Sequence, residues 1–282
     1  MSWIEDIQNY CNKLNIEASD LYNVLSDSKV SPMIRGKAFE FSMAYRLEDI
    51  LSKDKWKVSK PNMNAQTGLH DVDVMVTHIE TGKVISVECK LAKKGGFTKA
   101  KRKGKNHDKD DFTIPVKCMR SRTTLSEDRV KSGAAAYGVT GESFAIHSDQ
   151  YRASNFNVVA TSIANGFYET DAETGEYIFQ PTAAAIDFLN RFNPPAGAEA
   201  LQLFVYNQIY LARSVDLIAN KNTGVKCTRA KCKDDECGYI PNYPVMNFGN
   251  VDLLEKGQVP TPKSGWYSLA MADTLFSTFI QN

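Results

Sequence analysis

The sequence contains no run of eighteen apolar residues, which excludes a helical membrane span. Its start, MSWIEDIQNYCNKLNIEASDLY, has neither the basic opening nor the apolar stretch of a secretory leader, so a cytoplasmic protein is expected. A Walker-type phosphate loop is missing, which removes the usual basis for ATP-driven chemistry. Internal repeats and low-complexity linkers are also missing, which favours one compact domain carrying insertions over a solenoid or a string of modules. Histidine is scarce: His70, His78, His107 and His147 are scattered and form no triad. Cysteine is too thin for a disulfide scaffold, with six residues in 282, so reduced thiols are expected.

What is present is ordinary for a globular protein: 43% apolar and 24% charged residues. The net charge of +1 conceals an asymmetry. Residues 88–131 hold fourteen Lys/Arg against six Asp/Glu, a balance of +8, and the rest of the chain carries −7. Either a local polyanion-binding surface or a solvated loop in a dipolar protein would give this pattern.

The first 53 residues read as helical. Ser31-Pro32 predicts a helix start, with serine as the N-cap and proline at the first helical position. Ile34, Ala38, Phe41, Tyr45 and Ile50 then mark one buried face. From Trp56 the texture turns to β. Val72–Val76 and Val84–Glu88 predict two strands joined by a tight turn at Glu80-Thr81-Gly82-Lys83. Residues 93–111, rich in lysine, glycine and aspartate, predict a mobile loop. Asn157–Thr161 predicts a strand, residues 182–192 and 199–219 predict helices, and residues 220–245 predict a loop-rich cysteine module.

Alternation along a strand puts Glu88 and Lys90 on one face and Cys89 on the other. If the turn centres on Thr81-Gly82, Asp73 lies opposite Lys90; if on Glu80-Thr81, it lies opposite Glu88. Either register gathers Asp73, Glu88 and Lys90 on one face, with opposed Cβ atoms roughly 5 Å apart. Two carboxylates among Val72, Val74, Val87 and Cys89 repel each other and lose hydration, so a cation between them is expected. Mg²⁺, which prefers hard oxygen ligands, suits that position. Asp71 competes for the aspartate role, but the apolar run after Asp73 favours Asp73.

The pattern Asp73, fourteen residues, Glu88-Cys89-Lys90 resembles the PD-(D/E)xK nuclease superfamily. Gly36-Lys37-Ala38-Phe39-Glu40 resembles the glutamate-bearing helix that precedes the hairpin in many members. The chain departs from the family pattern in lacking a proline before Asp73. The resemblance covers residues 32–92, under a quarter of the chain. It implies an α/β fold with a mixed central β-sheet flanked by helices, a restriction-endonuclease-like core, to which we add a C-terminal cysteine-rich subdomain. In this reading 1–55 is a helical N-terminal part, 56–165 the catalytic core and 166–282 a helical and cysteine-rich C-terminal part. The resemblance further implies Mg²⁺-dependent phosphodiester hydrolysis to 5′-phosphate and 3′-hydroxyl ends. Asp73 and Glu88 would hold the metal, Lys90 would orient water or stabilise charge, and Glu40 would bind a second cation or hold metal-bound water.

Lys93, Lys94, Lys99, Lys101, Arg102, Lys103 and Lys105 follow Lys90 closely, and Arg120, Arg122 and Arg129 come next. Such a segment suits DNA phosphates, and arginine also suits guanine edges. Cys227-x4-Cys232-x4-Cys237 offers three thiolates for structural Zn²⁺, with a fourth ligand to come from Cys118, Cys11 or His147. Three free thiols, or an iron–sulfur cluster drawing on Cys11, are the alternatives. The expected function is a site-specific double-stranded DNA endonuclease of the type II restriction class, working as a homodimer, with a cognate DNA methyltransferase in the same system but no contact with it implied. A repair or recombination nuclease of the same superfamily and a non-catalytic, zinc-containing DNA-binding protein are the rivals.

Overall fold

A computed structural model describes residues 2–61, 72–102, 109–120, 126–249, 260–263 and 265–281, with backbone alone at 100–102 and 109–110. The N-terminal part is helical: α1 (Trp3–Leu14), α2 (Leu21–Ser26) and α3 (Ser31–Ile50). A reciprocal capping box between Ser2 and Glu5 starts α1, and Asn15 ends it in the left-handed region at φ 54°.

The strands β1 (Trp56–Ser59), β2 (Val74–His78) and β3 (Val84–Cys89) form an antiparallel meander. Then come β4 (Thr98–Arg102), β5 (Lys109–Pro115), α4 (Glu127–Tyr137), α5 (Gly141–Ile146), β6 (Val158–Ser162), β7 (Tyr168–Thr170) and β8 (Tyr177–Phe179). The chain ends with α6 (Ala183–Asn190), α7 (Ala198–Tyr206), β9 (Ile209–Arg213), α8 (Ser214–Leu217), β10 (Val245–Gly249), β11 (Trp266–Ser268) and α9 (Ala272–Ser277).

The central sheet runs β1-β2-β3-β6-β9-β11. It is mixed: β6 lies parallel to β3, and its other neighbouring pairs are antiparallel. Alternation along the strands builds a core on each face. On one side Val74, Val76, Ile85, Val87, Val158 and Ala160 pack with Phe39, Met43 and Leu47 of α3 and Leu275 and Phe276 of α9. On the other, Val159, Tyr210 and Ala212 belong to a cluster with Phe188 and Leu189 of α6 and Phe112 and Ile114 of β5. The expected mixed sheet flanked by helices is therefore present, with the cysteine-bearing loop near the C-terminus. Among the described residues no helix is long and apolar enough to cross a membrane.

Four local expectations are corrected. The residue before Ser31, Val30, holds the N-cap position of α3; the Ser31 hydroxyl instead donates to the Leu25 carbonyl at 3.1 Å. The buried face of α3 is Phe39, Glu40, Met43 and Leu47, whereas Phe41 and Tyr45 are 51% and 63% exposed. The helix carries two apolar stripes of helical period, and the direction of approach of the sheet selects one. Residues 93–111 do not form only a loop: β4 and β5 pair as antiparallel strands within a three-stranded sheet, β10-β5-β4. Phe97, Phe112 and Ile114 anchor that sheet to the core, outweighing the polar composition around them. Finally, 199–219 is not one helix. α7 ends at Tyr206, and Ile209–Arg213 is a central strand buried on both faces through Ala212. A short apolar run reads equally as buried helix or buried strand by periodicity.

Candidate active site and metal centre

The β2–β3 hairpin closes with the His78 amide donating to the Lys83 carbonyl and the Gly82 amide to the His78 carbonyl, both at 2.9 Å. Gly82 adopts φ 67°, which glycine tolerates without strain. The pairs Val74↔Val87 and Thr77↔Val84 select the register centred on Glu80-Thr81. Extended by one residue, that register sets Asp73 opposite Glu88. Asp71 lies outside the described residues.

Asp73, Glu88 and Glu40 are all buried, at 8%, 5% and 8% exposure. The Cys89 amide donates to Asp73 Oδ2 at 2.8 Å, so the strand backbone fixes that carboxyl. Burial first, and then the Glu88 charge, push Asp73 up to about 7, with Glu40 adding to the effect and the Cys89 amide opposing it. Glu88 Oε1 accepts from the Tyr151 hydroxyl at 2.9 Å and pairs with Lys90 Nζ at 2.6 Å. Burial alone would lower the Lys90 pKa, yet the adjacent Glu88 overrides it and holds the ammonium well above the usual lysine range. Glu40 Oε2 pairs with Lys60 at 2.6 Å and Lys37 at 2.8 Å. Lys60 also reaches the Asp73 carbonyl at 3.4 Å, linking α3 to the hairpin.

A cleft of about 320 Å³ is lined in part by Glu40, Asp73, Cys89 and Lys90, with Glu88 just behind this lining. Three more cations, Arg35, Lys94 and Lys117, also line it. The surface is thus acidic at its floor and basic around it. Of the expected DNA-contacting residues, Lys94 lines the cleft, with Nζ over the Tyr177 ring at 4.8 Å. Lys93 is exposed, with Nζ over Tyr243 at 5.4 Å. Lys99 extends towards Asp187, 3.9 Å away, and Arg120 donates to the Tyr137 hydroxyl at 2.9 Å. Lys101 and Arg102 lie on β4, with side chains outside the description, and Lys103, Lys105 and Arg122 lie outside the described residues. Arg35, Lys60, Lys117 and Tyr151 escape sequence reasoning, because each is brought to the site only by folding.

A second cluster shares no residue with the lining of the cleft. One ligand atom from each of His147, Cys227, Cys232 and Cys237 falls within 4.8 Å of all the others, so this group can hold a metal ion. His147 Nε2 is 3.6 Å from Cys227 Sγ. His147 Nδ1 lies 2.7 Å from the Ser143 carbonyl, so it carries the proton and leaves Nε2 as a donor to metal. Burial lowers the imidazole pKa, which favours the neutral form a ligand needs. The ring stacks on Tyr239, with centroids 4.2 Å apart and planes 6° from parallel. Of the three candidates for fourth ligand, His147 is the one the fold delivers. Cys118 is packed in the apolar core and Cys11 is buried on α1, which leaves the iron–sulfur arrangement without its N-terminal thiol. Among the described residues this is the only such convergence of three or more ligand side chains; Glu40, Asp73 and Glu88 do not close to the same distance. His78 is buried against Trp56, and His70 and His107 lie outside the described residues.

Comparison with protein-family models, with characterised proteins and with solved structures gives no match to this chain.

Proposed function

We propose that this chain is a Mg²⁺-dependent endonuclease acting on double-stranded DNA, of the site-specific type II restriction class, working as a two-fold dimer. The observation that carries the reading is Asp73. Its carboxyl is buried opposite Glu88, raised to about 7 by desolvation and by a second carboxylate, and it lines a cleft that Arg35, Lys90, Lys94 and Lys117 also line. Such a pair is relieved by a hard cation, and its oxygen donors suit Mg²⁺.

Asp73 and Glu88 would hold the ion, with the Cys89 carbonyl as a further donor and Glu40 supporting bound water. When bound, Mg²⁺ supplies Lewis-acid polarisation of the scissile phosphate and a more acidic water. The Cys89 amide holds Asp73 in orientation. Lys90 presents a permanent positive charge where negative charge grows on phosphorus. Arg35, Lys94 and Lys117 would hold the flanking phosphates, which positions the duplex without reading its bases. The products would carry 5′-phosphate and 3′-hydroxyl ends.

For the His147–Cys227–Cys232–Cys237 group the proposed ion is Zn²⁺, which favours four-coordinate sets of thiolate and imidazole. A second reading, a zinc-containing DNA-binding protein without catalysis, is favoured by one observation. The cysteine cluster converges, while Glu88 and Glu40 already have lysine partners. Incubation with supercoiled and long linear duplex DNA in Mg²⁺, Ca²⁺ or chelator separates the two. Discrete fragments formed in Mg²⁺ alone support restriction-type cutting, and heterogeneous nicking supports a repair nuclease. Binding without cutting in every condition removes the catalytic reading.

A further inference from the structure

The Cys₃His cluster is assembled from two chain segments, and one of them continues directly into the carboxylate site. His147 belongs to the stretch 147–152, and the three thiols belong to the loop 227–237. Several contacts bind the two together. The Ile240 amide donates to the Tyr151 carbonyl at 2.7 Å. Gln150 Nε2 donates to the Ile240 carbonyl at 3.0 Å. Arg152 and Tyr239 form an isolated antiparallel bridge. Arg229, two residues beyond Cys227, forms an ion pair with Asp149, and Asn242 Nδ2 donates to the other oxygen of Asp149 at 3.2 Å.

Tyr151 sits four residues after the ligand His147 and is 5% exposed. Its carbonyl is held by the cysteine-bearing segment, and its hydroxyl donates to Glu88 Oε1 at 2.9 Å. Lys90 Nζ lies over its ring at 5.3 Å, and Phe156 packs against it with centroids 5.2 Å apart. Among the described residues both donors to Glu88, Tyr151 and Lys90, bind Oε1. Oε2 takes neither of these two donors.

We propose that the His147–Cys227–Cys232–Cys237 centre binds zinc and that this zinc, by locking the 147–152 segment, makes Tyr151 a positioning residue for Glu88. Soft thiolates select the zinc, and hard carboxylates leave it for Mg²⁺, so the two ions sort to different sites. Loss of the zinc frees the cysteine loop, and with it the backbone that aims Tyr151. Among the described residues Glu88 then keeps Lys90 alone as a donor and can rotate. The zinc and backbone parts stand independently of the nuclease reading; the catalytic consequence rests on it.

The test has three arms on the full chain. Elemental analysis of protein purified without chelator should give about one zinc per chain, the ratio for one tetrahedral site. Iron in its place, or no metal after zinc is offered, overturns the proposal. Zinc is then stripped from the folded protein with a nitrogen-donor chelator under reducing conditions, and amide exchange is followed by mass spectrometry. Exchange should accelerate in 227–241, in 147–152 and at 88–90, while 31–50 is unchanged. Acceleration confined to 227–238 overturns the coupling. In the third arm Tyr151→Phe should keep its zinc and its DNA affinity. Its single-turnover cleavage in Mg²⁺ should fall about 10–100-fold, the range for loss of a partner that orients a metal ligand. A normal rate with zinc bound rejects the role given to Tyr151. If the wild type never cleaves DNA while the first two arms succeed, the nuclease reading alone has failed.

Discussion

Asp73 and Glu88 face each other across the hairpin, yet they are held by different means: Asp73 by the backbone amide of Cys89 and Glu88 by the side chains of Tyr151 and Lys90. One carboxyl is fixed by the strand itself, and the other depends on a tyrosine sixty-three residues away in sequence. That asymmetry sets what each substitution should do.

Replacement of either carboxylate should remove catalysis and spare binding. Asp73→Ala or Glu88→Ala is expected to lower single-turnover cleavage in Mg²⁺ by about 10³-fold or more, because a cation contributes several kcal/mol of charge stabilisation. DNA affinity measured in Ca²⁺ should change little, since the proposed phosphate contacts belong to the flanking cations. Cleavage by both variants at the wild-type rate would remove the metal-site assignment.

Asp73 should also make the stability of the metal-free protein depend on pH. With its pKa raised from 3.8 to about 7, Asp73 binds its proton more tightly in the folded chain than in the unfolded one. The folded state is therefore favoured while the group is protonated and loses stability as pH rises from about 4 through 7. Asp73→Asn lacks that penalty. At about 1.4 kcal/mol per pKa unit, its advantage over wild type should be near zero at pH 4 and reach up to about 4 kcal/mol by pH 8. Denaturant midpoints of the two proteins without Mg²⁺ measure this, and saturating Mg²⁺ should narrow the gap. A difference that is the same at both pH values would show that folding leaves the Asp73 pKa unshifted.

The cations of the cleft should separate into two kinds. Lys90, paired with Glu88, should affect the chemical step: Lys90→Ala slows cleavage and leaves the salt dependence of binding in place. Lys94 and Lys117 should act through phosphates. Each phosphate contact contributes about −0.9 to the slope of log affinity against log salt, so the double alanine variant should flatten the slope by about 1.8. An unaltered slope would mean that these lysines line the cleft without touching DNA.

Phe188 is the centre of the second core, with Phe97, Phe112 and Phe248 within 5.3 Å between ring centroids. Phe188→Ala should cost about 3–5 kcal/mol, the range for emptying a buried phenyl site. The loss should be evident as a lowered denaturation midpoint. A change under about 1 kcal/mol would mean that the neighbouring rings collapse into the space.

The helical start, the β2–β3 hairpin and the membership of the carboxylate face are legible in the order of residues alone, because these depend on period and on neighbours close in the chain. That order does not choose between two hairpin registers; the turn at residues 79–82 and the pairing of β2 to β3 do. Nor could it choose the packing stripe of α3, since Phe39–Met43–Leu47 and Phe41–Tyr45 share one spacing, and only the position of the sheet decides which is buried. Ile209–Arg213 reads as helix in isolation and is a strand because β6 and β11 flank it. The three thiols announced a ligand set, but His147 was one of three candidate partners until folding brought it within reach of Cys227, eighty residues on. Lys60 and Tyr151 carried no sequence signal at all. A lone lysine or tyrosine gains its chemistry from what faces it, and contacts across tens of residues are fixed by tertiary packing, which local pattern does not encode.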